Sequence, residues 1–93
     1  PLTLIEAMAV ELPCVGSRVG GIPEVILDNE TGLLAKPQDH YDFANCIERL
    51  MIDGETRVRM ARAARRRAEL LFDRKAMLAA YFAAYRHMLA YSA

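Results

Sequence analysis

The chain has 93 residues, 54% hydrophobic and 26% charged, with twelve acids balancing twelve lysines and arginines. That length suits one small domain and is too short for a two-domain enzyme, and the apolar content supports a core and excludes a disordered segment. No run of about eighteen apolar residues occurs, so no segment reads as a membrane span.

The neutral total hides a split. Residues 1–55 carry ten acids and three bases, whereas residues 56–93 carry nine bases and two acids. The two parts are expected to attract each other or to face different surroundings. Cys14 and Cys46 fall in apolar stretches and read as buried, reduced thiols, which points to a cytoplasmic setting. Opening on Pro1 without an initiator methionine, the chain reads as a piece of something longer.

Thr3 and Glu6 make a T-x-x-E capping box, which predicts a helix over residues 3–11 that Pro13 stops. Residues 12–16 are a short apolar run suited to a buried strand. Residues 17–22 read as a loop, with Gly20 and Gly21 supplying unusual dihedrals. Pro23 fits the first position of a short helical turn over residues 23–27. Residues 28–32 form a turn cluster, and residues 32–35 a second short strand ended by Pro37. Strands separated by a helical piece predict α/β organisation with parallel pairing.

Asp39 is a suitable N-cap for a helix reaching about Asp53, with Phe43, Ile47, Leu50 and Met51 on one face. Asp53 and Gly54 end it. A second helix is expected over residues 55–72 with Met60, Ala61, Ala64, Ala68, Leu71 and Phe72 as its stripe. Asp73 would then cap a third, over residues 74–91, whose stripe of Met77, Tyr81, Tyr85 and Met88 opposes an alanine-rich side. Two strands cannot complete a doubly wound domain, which needs about five or six. The fold class is therefore α/β, the second half of a Rossmann-like domain whose remaining strands lie elsewhere.

Glu6 is the leading candidate for chemistry. The two adjacent hydroxyls of a ribose can each donate to one carboxylate, and a glutamate one turn behind a helix tip that holds phosphate is within reach of them. Its ordinary reading is the capping box alone. The backbone amides of Leu2 and Thr3 sit where a helix start binds anions. Arg18 follows the first strand on the side where α/β sheets bind ligands, although a solvated loop arginine is its ordinary role. Gly20 and Gly21 belong to no GxGxxG or GxxxxGK[ST] pattern and read as a tight turn before Pro23. Glu24 favours the start of a short helix through the dipole. His40 and His87 have no partners at metal-ligand spacing. Arg57, Arg59, Arg62, Arg65, Arg66 and Arg67 form a basic run that reads first as a solvated face and second as a peripheral contact with anionic lipid. Nucleic acid is the least favoured partner, because no aromatics interleave with the arginines.

Four blocks occur in order at short spacings: Leu4-Ile5-Glu6-Ala7-Met8-Ala9, Leu12-Pro13-Cys14-Val15-Gly16, Gly20-Gly21-Ile22-Pro23-Glu24 and Glu30-Thr31-Gly32-Leu33-Leu34. Together they resemble the C-terminal part of the retaining GT-B glycosyltransferases of the family 4, or group 1, type. The resemblance covers essentially the whole chain. It implies one partial domain over 1–93, with a donor-site α/β part over 1–37 and a helical part over 38–93. The implied fold is the C-terminal half of a Rossmann-like GT-B donor domain.

The family's Glu-x7-Glu motif spans the donor site. Glu6 matches its second glutamate, which implies a ribose contact, and the first lies upstream of Pro1. Leu2 and Thr3 would offer backbone amides to the donor phosphates. Pro1 stands where the family often has glycine and has no N–H to offer. The resemblance implies transfer of a sugar from a UDP-, GDP- or ADP-sugar to a polysaccharide, glycolipid or small-molecule acceptor. It implies retention of configuration, no cofactor and no metal. It singles out no catalytic residue within the chain. The acceptor site would lie on an N-terminal domain not included here, toward which the last helix is expected to dock, and the chain alone would be inactive. The alternatives are a nucleotide-sugar epimerase or phosphorylase on the same scaffold, or a non-catalytic helical interaction module.

Overall fold

A computed structural model describes residues 2–92. The elements run α1 (Leu2–Ala9), β1 (Cys14–Ser17), α2 (Ile22–Val25), β2 (Gly32–Ala35), α3 (His40–Ile52) and α4 (Gly54–Ser92). The strands pair in parallel, Cys14 opposite Gly32 through Ser17 opposite Ala35. The pairing is the one expected, since a helical segment returns the chain to the same end of the sheet.

Alternation along the strands makes two layers. Cys14 and Leu34 face one side and join Met8 of α1, Val25 and Ile26 of the crossover, and Ala64 and Ala68 of α4. Leu33 faces the other side, with Leu50 of α3 and Met60 of α4, and Val15 and Cys46 pack there too. The two cysteines are free thiols on opposite sides of the sheet. Burial raises the pKa of both, and for Cys46 the carboxylates of Asp42 and Asp28 add to the effect against Arg49.

Several boundaries differ from those expected. Helix α1 starts at Leu2, so Thr3 lies inside it rather than at its cap. It ends as a Schellman turn: Leu12 N–H donates to Ala7 O and Glu11 N–H to Met8 O, with Glu11 at φ 62°. That turn delays β1 to Cys14. Helix α2 is a single turn because Ile26 is already extended, at φ −92° and ψ 120°. The expected break at Phe72 and Asp73 is absent, and α4 runs unbroken for 39 residues. No glycine or proline interrupts residues 55–92, and one interior aspartate costs only a few tenths of a kcal/mol against a run of alanine, arginine, leucine and methionine, by the roughly 0.7 kcal/mol span of helix propensities. Asp53 both ends α3 and starts α4: its carboxylate accepts from Thr56 N at 3.1 Å and Thr56 Oγ1 at 2.6 Å.

The outer edge of β2 is closed by side chains. Leu34 N–H donates to Asp28 Oδ1 at 2.9 Å, and Lys36 N–H to Asp42 Oδ2 at 2.7 Å. Asp42 also forms the first turn of α3, where its own N–H donates to the N-cap Asp39. Among the described residues, no strand pairs with the opposite edge of β1.

The attraction expected between the acidic and basic parts takes a different form. The ion pairs Arg18–Asp28 and Arg65–Glu69 are each local to one part. Three arginines of α4 instead donate to backbone carbonyls at the ends of earlier elements. Arg57 reaches Leu50 O and Met51 O, Arg59 reaches Asn29 O, and Arg67 reaches Glu24 O and Val25 O. These carbonyls lie at helix ends and turns, where no backbone donor remains for them.

Beyond Leu71 helix α4 leaves the core. Every residue from Phe72 to Leu89 is exposed, including Met77, Leu78, Tyr81, Phe82, Tyr85 and Met88. Leu78, Phe82 and Leu89 continue the stripe of Ala64, Ala68 and Leu71 at spacings of three, four and seven. At helical rise this projection is roughly 27 Å long, within a total extent of 60 Å.

Two outcomes test this packing. A β-carbon on Gly32 would lie 2.5 Å from the Cys14 carbonyl oxygen, a backbone atom that cannot give way. Gly32→Ala is expected to destabilise the protein by about 1–3 kcal/mol, read as a lower midpoint in thermal unfolding. The Asp53 carboxyl is held below its usual 3.8 by the Thr56 hydroxyl and amide. A depressed carboxylate pKa contributes stability that is present above about pH 3.8 and disappears as pH falls through the lowered value. Asp53→Ala should therefore lower the unfolding temperature at pH 7, and the gap to wild type should close in strong acid.

Candidate functional site

The N-terminal end of α1 presents backbone donors of the kind that can hold an anion. Leu2 and Thr3 are its first two residues, so their amide N–H groups have no partner within the helix. Thr3 is exposed. Glu6, one turn further on, is exposed too, and its carboxylate makes no hydrogen bond to another described residue. Met8, fully buried, follows it by two positions, about 200° around the helix. The packing that buries Met8 thus turns Glu6 outward. Pro1 lies outside the described residues.

Beside this end a cavity of about 380 Å³ opens between Thr3, Leu4 and Ala7 of α1, Val15 and Gly16 of β1, and Ile22 of α2. It holds no charged group and one hydroxyl. Such a lining suits apolar side chains added alongside β1 better than a phosphate. The anion-binding capacity lies at the helix tip, on the rim.

Other candidates are accounted for locally. Arg18 is paired with Asp28 at 2.9 Å, and the same carboxylate holds β2, so this arginine is engaged. Gly20 takes φ 54° in the turn that Ile22 N–H closes onto Val19 O, a conformation glycine adopts without penalty. Glu24 sits in the first turn of α2, and its carbonyl accepts from Arg67 at 2.6 Å. His40 opens α3 and His87 lies on the projecting part of α4, both exposed. Among the described residues no group of three histidine, cysteine or acidic side chains could hold a metal ion. None of these helices is long and apolar enough to cross a membrane.

A second cavity, about 240 Å³, lies over the outer edge of β2 between Asp28, Asn29, Asp42, Asn45, Cys46 and Arg49. Its carboxylates are spent on Leu34, Lys36 and Arg18, and Arg49 donates to Asn29 Oδ1 at 2.7 Å. A groove along the outer face of α4, lined by Glu55, Val58, Arg59, Arg62 and Arg66, is formed by side chains of that helix alone. Sequence reasoning missed the carbonyl contacts of Arg57, Arg59 and Arg67. The first spans only six or seven residues and the others thirty or more, so a local pattern could signal at most the Arg57 contact.

The sequence profile described as Glycosyl transferases group 1 matches residues 1–67. The chain is 38% identical over 88 residues to the N-acetyl-alpha-D-glucosaminyl L-malate synthase of Bacillus anthracis, covering 95% of this chain and 23% of that one. It is 43% identical over 68 residues to a D-inositol 3-phosphate glycosyltransferase of Pseudarthrobacter chlorophenolicus, covering 73% and 16% respectively. Among solved structures, the sucrose-phosphate synthase of Thermosynechococcus elongatus superposes with a TM-score of 0.82 at 36% identity, covering 97% of this chain and 23% of that one. The chain thus spans less than a quarter of the length of each of these relatives. A parallel pair of strands, an exposed glutamate one turn behind a helix tip and a profile match over most of the sequence agree: the chain belongs to the group 1 glycosyltransferases, and its fold is part of a GT-B domain.

Proposed function

We propose that these residues form the C-terminal portion of the donor-binding half of a retaining glycosyltransferase. The observation that carries this reading is the outward-facing Glu6 carboxylate one turn behind the free amides of Leu2 and Thr3. The donor is a nucleotide sugar, UDP-, GDP- or ADP-linked. Glu6 accepts from its ribose hydroxyls, and the amides at the tip of α1 receive its diphosphate. In the reaction the bond from the anomeric carbon to the diphosphate oxygen breaks, a bond to an acceptor hydroxyl oxygen forms, and the hydroxyl proton passes to the departing diphosphate. The leaving group gains negative charge as it departs, so donors fixed in advance at the helix tip stabilise the transition state more than the ground state. No side chain of this segment acts as acid, base or nucleophile in this reading, and no cofactor or metal is required.

The names of the relatives, which include L-malate and D-inositol 3-phosphate, support a small hydroxylated acceptor. Its site belongs to a further domain. The exposed apolar residues of α4 beyond Leu71 support docking of that helix onto such a domain. The unpaired thiols Cys14 and Cys46 support a reducing, cytoplasmic compartment.

In the full-length protein, Glu6→Ala is expected to weaken UDP, GDP or ADP binding, whichever nucleotide the wild type prefers, by about tenfold or more in titration calorimetry, as loss of a hydrogen-bonded charge implies. Equal affinity in wild type and variant would remove the ribose assignment. Purified residues 1–93 should show no sugar transfer from any of the three donors. Turnover by that segment alone would mean that the chemistry needs neither the upstream glutamate nor an acceptor domain.

A further inference from the structure

We infer that Arg67 is a positioning residue for the donor-binding end of the fold, a role that rests on the donor reading proposed above. Helix α2 is one turn of four residues, far too short to hold its own conformation. Its terminal carbonyls have no helical donors of their own, and Arg67 supplies two: Nη2 donates to Glu24 O at 2.6 Å and Nε to Val25 O at 3.4 Å. The partners are more than forty residues away, so this contact is made only by the tertiary fold.

The place of Arg67 on α4 gives the contact its consequence. It lies between Ala64 and Ala68, the two fully buried alanines that share a cluster with Met8 of α1. One turn of α4 therefore fixes α1, which carries Glu6 and the anion-binding tip, and also α2, which follows the exposed loop 18–21. Thr3, Leu4 and Ala7 on one side and Ile22 on the other line the same cavity. The width between the helix tip and that loop is set through this turn. A guanidinium can fork to two carbonyls in a fixed geometry, and a lysine ammonium cannot do so in the same way. Loss of the fork leaves the α2 carbonyls unpaired and loosens that turn and the loop before it, while Val25 and Ile26 keep the turn on the core and Met8 keeps α1 seated.

The test is donor kinetics and thermal unfolding of the full-length enzyme in four variants: Arg67→Ala, Arg67→Lys, Arg57→Ala and Glu6→Ala. Arg57 is the control, because it also donates to two carbonyls, Leu50 O and Met51 O, but at the far end of α3. Arg67→Ala is expected to raise the donor KM about tenfold with kcat within about twofold, the signature of lost ground-state and transition-state binding together. Arg67→Lys should fall between that variant and wild type. Arg57→Ala should lower the unfolding temperature comparably and leave the donor KM unchanged. Equal KM effects in Arg67→Ala and Arg57→Ala, or none in either, would overturn the inference. If Arg67→Ala does not fold, Arg67→Lys decides it: a raised donor KM at near-native unfolding temperature supports the role, and a native KM overturns it. Glu6→Ala separates the two readings. An effect there with none at Arg67 removes this inference alone, whereas an effect at Arg67 with none at Glu6 removes the ribose assignment and leaves Arg67 as the determinant of donor affinity.

Discussion

The structure depends on how one stretch of α4, from Thr56 to Leu71, is laid across everything before it. Two kinds of contact hold it there. Met60, Ala64 and Ala68 are fully buried one turn apart and reach both faces of the sheet. On either side of that stripe Arg57, Arg59 and Arg67 donate to carbonyls that end α3, the 28–31 turn and α2. Magnitudes favour this arrangement over the ion pairing that the charge split suggests. An exposed ion pair contributes about 0–1 kcal/mol, whereas a hydrogen bond from a charged donor contributes about 1.5–3 kcal/mol. The positive charge of the second part is thus used against the partial charges of backbone ends, and the acids of the first part do local work at caps and at the β2 edge.

That edge gives the sheet a direction. Asp28 and Asp42 occupy the outward N–H groups of Leu34 and Lys36, and Asn29 N–H occupies Gly32 O. A strand arriving from that side would find its partners taken, which is how natural sheets block an edge. The other strand has no such cover among the described residues, and an apolar cavity lies beside it. These local hydrogen bonds close the β2 side of the sheet and leave the β1 side without such cover among the described residues.

Much of the fold was legible in the sequence because it is written in short-range chemistry. The Gly32–Ala35 strand, bounded by a turn cluster and Pro37, lies where it was expected, and so does the Asp39 cap of α3. Parallel pairing was legible from the helical turn between two short apolar runs. Boundaries were less so. The Schellman turn that delays β1 has glutamate, not glycine, in its left-handed position, so the usual marker was missing. Asp53 was read only as the end of one helix, although Thr56 three positions on was available as its partner. Asp73 gave a false stop, because a capping residue in the middle of strong helix formers has no reason to leave the helix. At the site, the helix tip and Glu6 were visible as a pattern. The engagement of Arg18 with Asp28 and the reach of Arg67 were not, since each depends on where the crossover returns.

The site also shows why a motif this short is of little use without the rest of the domain. An eight-residue helix is only marginally populated in water on its own. If α1 frayed, its amides would point in many directions and Glu6 would have no fixed distance from them. Under the proposed donor reading, binding energy from a nucleotide sugar would then be spent on ordering the helix before any reached the transition state. Burial of Met8 against Ala64 and Ala68 removes that cost beforehand, and the small alanines let α1 approach α4 closely. In the proposed donor site the glutamate and the amides would supply the chemistry of recognition. The geometry that makes them a site is supplied some sixty residues later in the chain.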